Sequence, residues 1–224
     1  MEGCQGTHPL PGNGARATHH NRRNSHTPRS GCGRQFDGAL VAQSGCALNP
    51  FLPEHPPDDL TLKTWWIAAR DPAIDGALRA LHEHAATVAA LNRPVCLASG
   101  RCCQFAEHGH MLAVTGLEAL WVWQQTSARL STASAQIAQA IGQCGFLDGK
   151  LCSIHPNRPT GCRTYFCDRG DGQWQSSLGE SLHQALRALH TEHQLPYLCA
   201  EWTWLLTVLA RAESRGVFPA VPLP

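Results

Sequence analysis

Residues 144–167 read CGFLDGKLCSIHPNRPTGCRTYFC, four cysteines spread over turn-forming sequence rather than over a periodic helix or strand. Asp148-Gly149 is a strong hairpin signal, because a tight two-residue loop needs positive φ and glycine supplies it without strain. Pairing outward from that dipeptide sets Leu147 against Lys150, Phe146 against Leu151 and Gly145 against Cys152, so that Cys144 and Cys152 meet at the open end. HPNRPTG then forms an irregular, proline-rich loop that can return Cys162 and Cys167 to the same neighbourhood. A second group lies upstream, in CLASGRCC at 96–103, which contributes Cys96, Cys102 and Cys103.

Seven thiols from separate turns and loops suit a thiolate metal site, since a metal offsets the repulsion between anionic sulfurs and loops let their vectors converge. The chain has eleven cysteines, an odd number that disulfides alone cannot pair. Its first residues, MEGCQGTHPLPGNG, lack the apolar core of a secretory signal. The expected compartment is therefore the reducing cytoplasm, where cysteine enrichment favours metal ligation or redox chemistry. Cys4, Cys32, Cys46 and Cys199 are expected to be inert, Cys199 as a buried core residue. Adjacent Cys102 and Cys103 are expected to point apart, one ligating and the other packing, bridging or serving a second iron. Arg158 and Arg163 can bind carbonyls or offset the negative charge of the sulfurs.

The flanks read as helix. Asp71-Pro72 is an N-cap followed by a proline at the first helical position. Ile74, Leu78, Leu81, Ala85, Val88 and Leu91 recur on one face, ending before Arg93-Pro94. HMLAVT at 110–115 can form a short strand, and Thr115 with Glu118 makes a capping box that opens a further helix. Ser131 caps another helix, with Ile137 and Ile141 on its inner face. A second capping box, Ser177 with Glu180, precedes Leu178, Leu182, Leu186 and Leu189 on one stripe. A last helix carries Leu198, Trp202, Leu205 and Leu209. His82 and His84 are expected to be solvated, as are His183 and His190. His108, His110 and His155 are expected on surface loops.

The expected fold is therefore mainly α, with helices around a small irregular cysteine-rich centre and a short β-hairpin. Residues 1–60 hold eight of the twenty glycines and seven of the fifteen prolines without a sustained apolar period, and are expected to be a disordered extension ahead of a helical domain at 61–224. The net charge of +1 disfavours nucleic acid as a partner. No apolar run is long enough to span a membrane. The partner, protein or small molecule, stays unknown at this level.

The order C-x5-CC, then C-x-F-L-x4-C-S-I-x3-R-P-x2-C-R, resembles the YkgJ-type CxxCxxCC family, a zinc- or iron-chelating domain whose cysteine motif is shared by flagellin lysine methylases. The resemblance covers about 94–168 and implies that Cys96, Cys102, Cys103, Cys144, Cys152 and Cys162 are the family's cysteines. The family's second cysteine falls on Ser99, a poor ligand for soft metals, and Cys167 is the candidate to replace it. Scattered thiolates and the absence of a C-x2-C knuckle favour an iron–sulfur cluster, with zinc as the alternative. Whether the protein is an enzyme stays open. His155 could partner a reactive cysteine, and the methylase resemblance points to cluster-assisted methyl transfer, but no nucleotide or cofactor loop is recognisable.

Overall fold

The computed structural model describes residues 52–126, 129–166 and 172–218, all within one unit, Cys46–Pro224. Eight α-helices and four short strands occur among these residues. Helix α1 (Asp59–Ala68) begins where the Asp58 carboxylate accepts the Thr61 amide at 2.8 Å, so the helical region starts just inside the expected extension. Most of that extension, including Cys4, Cys32 and Cys46, lies outside the described residues.

Helix α2 (Pro72–Asn92) follows the sequence signals closely. Asp71 accepts the Ala73 amide at 2.8 Å, and Arg93 closes the helix in the left-handed region. The buried stripe is Ile74, Leu78, His82 and Ala85; Leu91 is exposed, so only the first half of the apolar face enters the core. A 3-10 turn at Arg101–Cys103 leads to the short α3 (Phe105–His108) and strand β1 (Ala113–Thr115). Thr115 then caps α4 (Gly116–Gln125), the most deeply buried helix, which carries Leu117, Leu120, Trp121, Val122 and Trp123. Gly116 has to be glycine because the Trp65 ring lies where its Cβ would stand, 2.4 Å away.

Helix α5 (Thr132–Ala140) is capped by Ser131 as expected, but it faces the core with Ala135 and Ala138. Ile137 and Ile141 are exposed, contrary to expectation. The small alanines let α5 approach α8, its main neighbour, where isoleucines on that face would hold the two apart.

The hairpin β2 (Leu147–Asp148) and β3 (Leu151–Cys152) forms, but with a different register. Leu147 faces Cys152 and Asp148 faces Leu151, so the loop is Gly149-Lys150 rather than Asp148-Gly149. Gly149 has φ +60° and Lys150 does not share a positive φ, which places glycine at the first loop position, as in a type II′ turn. A 3-10 turn (His155–Asn157) and α6 (Thr160–Thr164) follow.

Helix α7 (Gln173–Glu192) starts four residues before the expected capping box. Gly172, at φ +68°, turns the chain into the helix, while Ser177 is exposed and Glu180 instead accepts from Gln184 at 2.8 Å. The stripe Leu178, Leu182, Leu186 and Leu189 is buried as expected.

Leu198 and Cys199 do not lie on the last helix. Residues Cys199–Glu201 form β4, antiparallel to β1 with Thr115 opposite Cys199, and α8 (Trp202–Ser214) begins only afterwards. Pairing with β1 holds this segment extended, and the Glu201 carboxylate caps α8 through the Thr203 and Trp204 amides at 3.0 and 2.8 Å. Cys199 is half-buried rather than a core residue.

Candidate metal centre

The centre is assembled by backbone bonds between the two cysteine segments. The Cys144 amide donates to the Cys103 carbonyl at 2.8 Å, and the Ala106 amide to the Gly142 carbonyl at 2.9 Å, tying the CLASGRCC turn to the start of the hairpin segment. Gly100 permits the approach. It sits at φ +73°, and a Cβ there would lie 3.3 Å from the Lys150 backbone and 3.2 Å from Leu147 Cδ1. The Ser153 amide and hydroxyl both donate to the Phe146 carbonyl, at 2.9 and 3.0 Å, which sets Cys152 beside Cys144.

Four of the expected thiols meet directly. Cys102 Sγ lies 4.0 Å from Cys103 Sγ, so the adjacent pair converges rather than diverging, because the 3-10 turn at Arg101–Cys103 brings neighbouring side chains onto one side. Cys103 also contacts Cys144 and Cys152 within hydrogen-bonding reach. Cys162, on α6, lies near enough to sense the charges of Cys144, Cys152 and Cys102. Cys96 is exposed. Cys167 lies outside the described residues.

Charge is distributed unevenly over these sulfurs. The hydrogen bond from Cys103 holds the Cys102 thiol down to about 6, helped by the Arg158 charge. The same donor lowers Cys152 to about 7 and also lowers Cys144. Cys103 is pushed far up by the three sulfurs around it, and burial with neighbouring anionic sulfurs raises Cys162 well above its ordinary value. Cys103 has a single S–H and can donate to one neighbour at a time, so the sulfurs titrate as one set. Two backbone amides add to the effect, Phe146 donating to Cys144 and Ile154 to Cys152. Both come from the residue two positions after the cysteine.

The arginines divide the two tasks expected of them. Arg163 binds the carbonyls of Arg158, at 3.0 Å, and of Pro156, fixing the loop ahead of α6. Arg158 donates to His155 Nε2 at 2.8 Å, while its buried Nε–H finds no nitrogen or oxygen partner and its charge acts on Cys102, Cys152 and Cys162. His155 is exposed, in agreement with expectation, and burial and the two arginine charges lower its pKa. His110 is not a free loop residue: its ring stacks on Tyr165 at 4.5 Å, and its Nε2 lies 3.4 Å from the Cys102 carbonyl.

Glu118 is the residue that sequence reasoning placed wrongly. Thr115 Oγ1 accepts the Glu118 amide at 3.4 Å, but the Glu118 carboxylate does not reach back to complete the box. It runs to α6, where it accepts the Thr160 amide at 2.7 Å and the Thr160 hydroxyl at 3.3 Å. It thereby caps the helix that carries Cys162. His82, expected in solvent, is buried with Nε2 3.6 Å from Glu118 Oε1 and its ring edge-on to Trp121, whereas His84 is exposed. His190 is also buried, its Nδ1 2.8 Å from the Pro196 carbonyl, and His183 bonds the Tyr197 hydroxyl at 3.0 Å. Trp202, fully buried beside Cys144, was not singled out for the site, and no spacing rule could have linked it to a cysteine far upstream.

Among the described residues no three His, Cys, Asp or Glu side chains are already spaced to hold one ion, and no helix is long and apolar enough to cross a membrane. The donor chemistry nonetheless fits a soft metal: gathered thiols, amides directed at two of the sulfurs and an adjacent guanidinium. No curated protein and no solved structure matches the chain. Residues 95–179 match the sequence model of the CxxCxxCC family, described as a "putative zinc- or iron-chelating domain". That stretch contains all seven expected cysteines, so the part of the chain that carries the candidate centre is similar to that family.

Proposed function

We propose that the protein is a metal-thiolate protein whose cysteines hold an iron–sulfur cluster. Cys102, Cys103, Cys144, Cys152 and Cys162 supply the ligands, with Cys96 and Cys167 as further members of the set. The observation that carries this reading is the contact of Cys103 with Cys102, Cys144 and Cys152 at one point built from two distant segments. Thiols brought so close repel once ionised, and a bound metal removes that penalty as it displaces their protons. Five gathered thiols exceed the four that a tetrahedral zinc site uses, and Phe105, Phe146 and Trp202 give the site the apolar walls that shield a cluster. When bound, such a cluster supplies one-electron chemistry. The chain's own residues hold and orient it: the Phe146 and Ile154 amides bind two sulfurs, Arg158 offsets negative charge, and Arg163 and Glu118 fix the loop and helix that present Cys162.

Anaerobic purification followed by iron, sulfide and zinc analysis and an absorption spectrum tests the reading. Iron and acid-labile sulfide with a visible chromophore support it. A colourless protein with stoichiometric zinc replaces the cluster by a zinc ion. A folded, metal-free protein overturns metal binding altogether.

A further inference from the structure

Trp202 opens α8 and is fully buried, yet its indole N–H has no nitrogen or oxygen partner. Of the other four buried tryptophans, Trp66 is likewise without an oxygen partner, and the remaining three donate to oxygen. Trp65 binds the Pro196 carbonyl at 2.8 Å, Trp121 binds Asp75 at 2.8 Å, and Trp123 reaches Glu213 at 3.4 Å. A buried donor left unpaired forfeits its hydration without return. The acceptor beside Trp202 is the sulfur of Cys144, with the Phe146 ring alongside at a centroid separation of 6.3 Å. A neutral thiol is a weak acceptor, whereas a metal-bound thiolate carries the negative charge that makes a hydrogen bond strong.

We propose that Trp202 is a positioning residue of the metal centre, its Nε1–H donating to the Cys144 sulfur when that sulfur is a metal-bound thiolate. The bond orients the ligand and withdraws electron density from it, as hydrogen bonds around metal ligands do. The inference rests on the thiolate site proposed above but not on which metal fills it. It also gives the C-terminal helix a chemical role at a site otherwise built from residues 102–162.

Cobalt(II) is the probe, because its sulfur-to-metal charge-transfer band reports thiolate ligation directly. The full chain and its Trp202→Phe variant are titrated anaerobically, with Trp123→Phe as the control whose lost donor faces Glu213. Trp202→Phe is expected to bind cobalt about tenfold more weakly and to move the charge-transfer band to longer wavelength, while Trp123→Phe leaves the band in place. A loaded Trp202→Phe protein with the wild-type band overturns the inference alone. A wild-type protein that develops no thiolate band overturns the metal site and the inference together. Should Trp202→Phe fail to fold, the indole resonances of the wild type decide. On zinc loading the Trp202 N–H, assigned by elimination from single Trp→Phe variants of the other tryptophans, is expected to shift downfield while those of Trp65, Trp121 and Trp123 stay. A Trp202 resonance that does not move overturns it.

Discussion

The Glu118 carboxylate accepts the Thr160 amide at 2.7 Å across 42 residues of sequence, so a side chain of α4 caps α6. Both residues are buried, and α6 has no capping side chain at its own N-cap, Pro159. Glu118→Ala strands the Thr160 donors and is expected to cost about 3 kcal/mol, the range for a buried hydrogen bond to a charged group. Glu118→Gln keeps one acceptor and should cost less. Urea unfolding of the metal-loaded variants checks the order, and metal affinity should fall in parallel because α6 carries Cys162.

Gly100 and Gly109 both adopt positive φ, +73° and +60°, but only Gly100 presses against another segment. Gly109→Ala is expected to cost about 1 kcal/mol from backbone strain alone. Gly100→Ala adds contact with the Lys150 backbone, which cannot move without moving the hairpin. It should be the more destabilising of the two in thermal unfolding and should also reduce metal content, which Gly109→Ala leaves intact.

Burial lowers the pKa of His190 despite its bonds to the Pro196 and Leu195 backbone. Below the ordinary value of 6.5 the unfolded chain therefore binds a proton that the folded chain refuses. This part of the stability is complete above that pH and is lost progressively as the pH falls beneath it. His190→Asn retains a donor for the Pro196 carbonyl and removes the titration. Its denaturation midpoint should change less between neutral and mildly acidic pH than that of the wild type.

The cysteines should rank by their place in the set. Cys103→Ser, which removes the thiol touching three others, is expected to abolish metal retention, and Cys162→Ser to do the same. Cys199→Ser, on β4, should leave metal content unchanged. Cys167→Ser tests whether that residue replaces the ligand missing at Ser99: a full metal complement in this variant removes Cys167 from the set. Metal analysis after anaerobic purification reads all four.

Local signals carried much of the fold. Asp71, Thr115 and Ser131 cap the helices their positions announce, and the leucine stripe of α7 is buried as its spacing requires. What stayed illegible depends on distant partners. Ser177 looks like a cap until Gly172 starts the helix earlier. Leu198 and Cys199 look helical until β1 pairs with them. His82 and His190 look solvated because nothing in their own helices reveals Glu118 or the Pro196 carbonyl opposite. At the site, the turn residues announced that Cys144 and Cys152 would meet, but not that Cys102 and Cys103 would converge on them. The hairpin register was not legible either, since Asp148-Gly149 and Gly149-Lys150 both place glycine in the loop.

The β1–β4 pairing has a practical consequence for where this protein can be cut. The family match ends at residue 179, inside α7, yet the strand that zips onto Ala113–Thr115 and the indole that meets Cys144 come from residues 199–202. The cysteine motif is therefore not a portable cassette. A fragment ending at the match boundary would carry the seven cysteines but leave Val114 and Phe146 without their cover, so a piece meant to test the proposed metal site has to extend through α8.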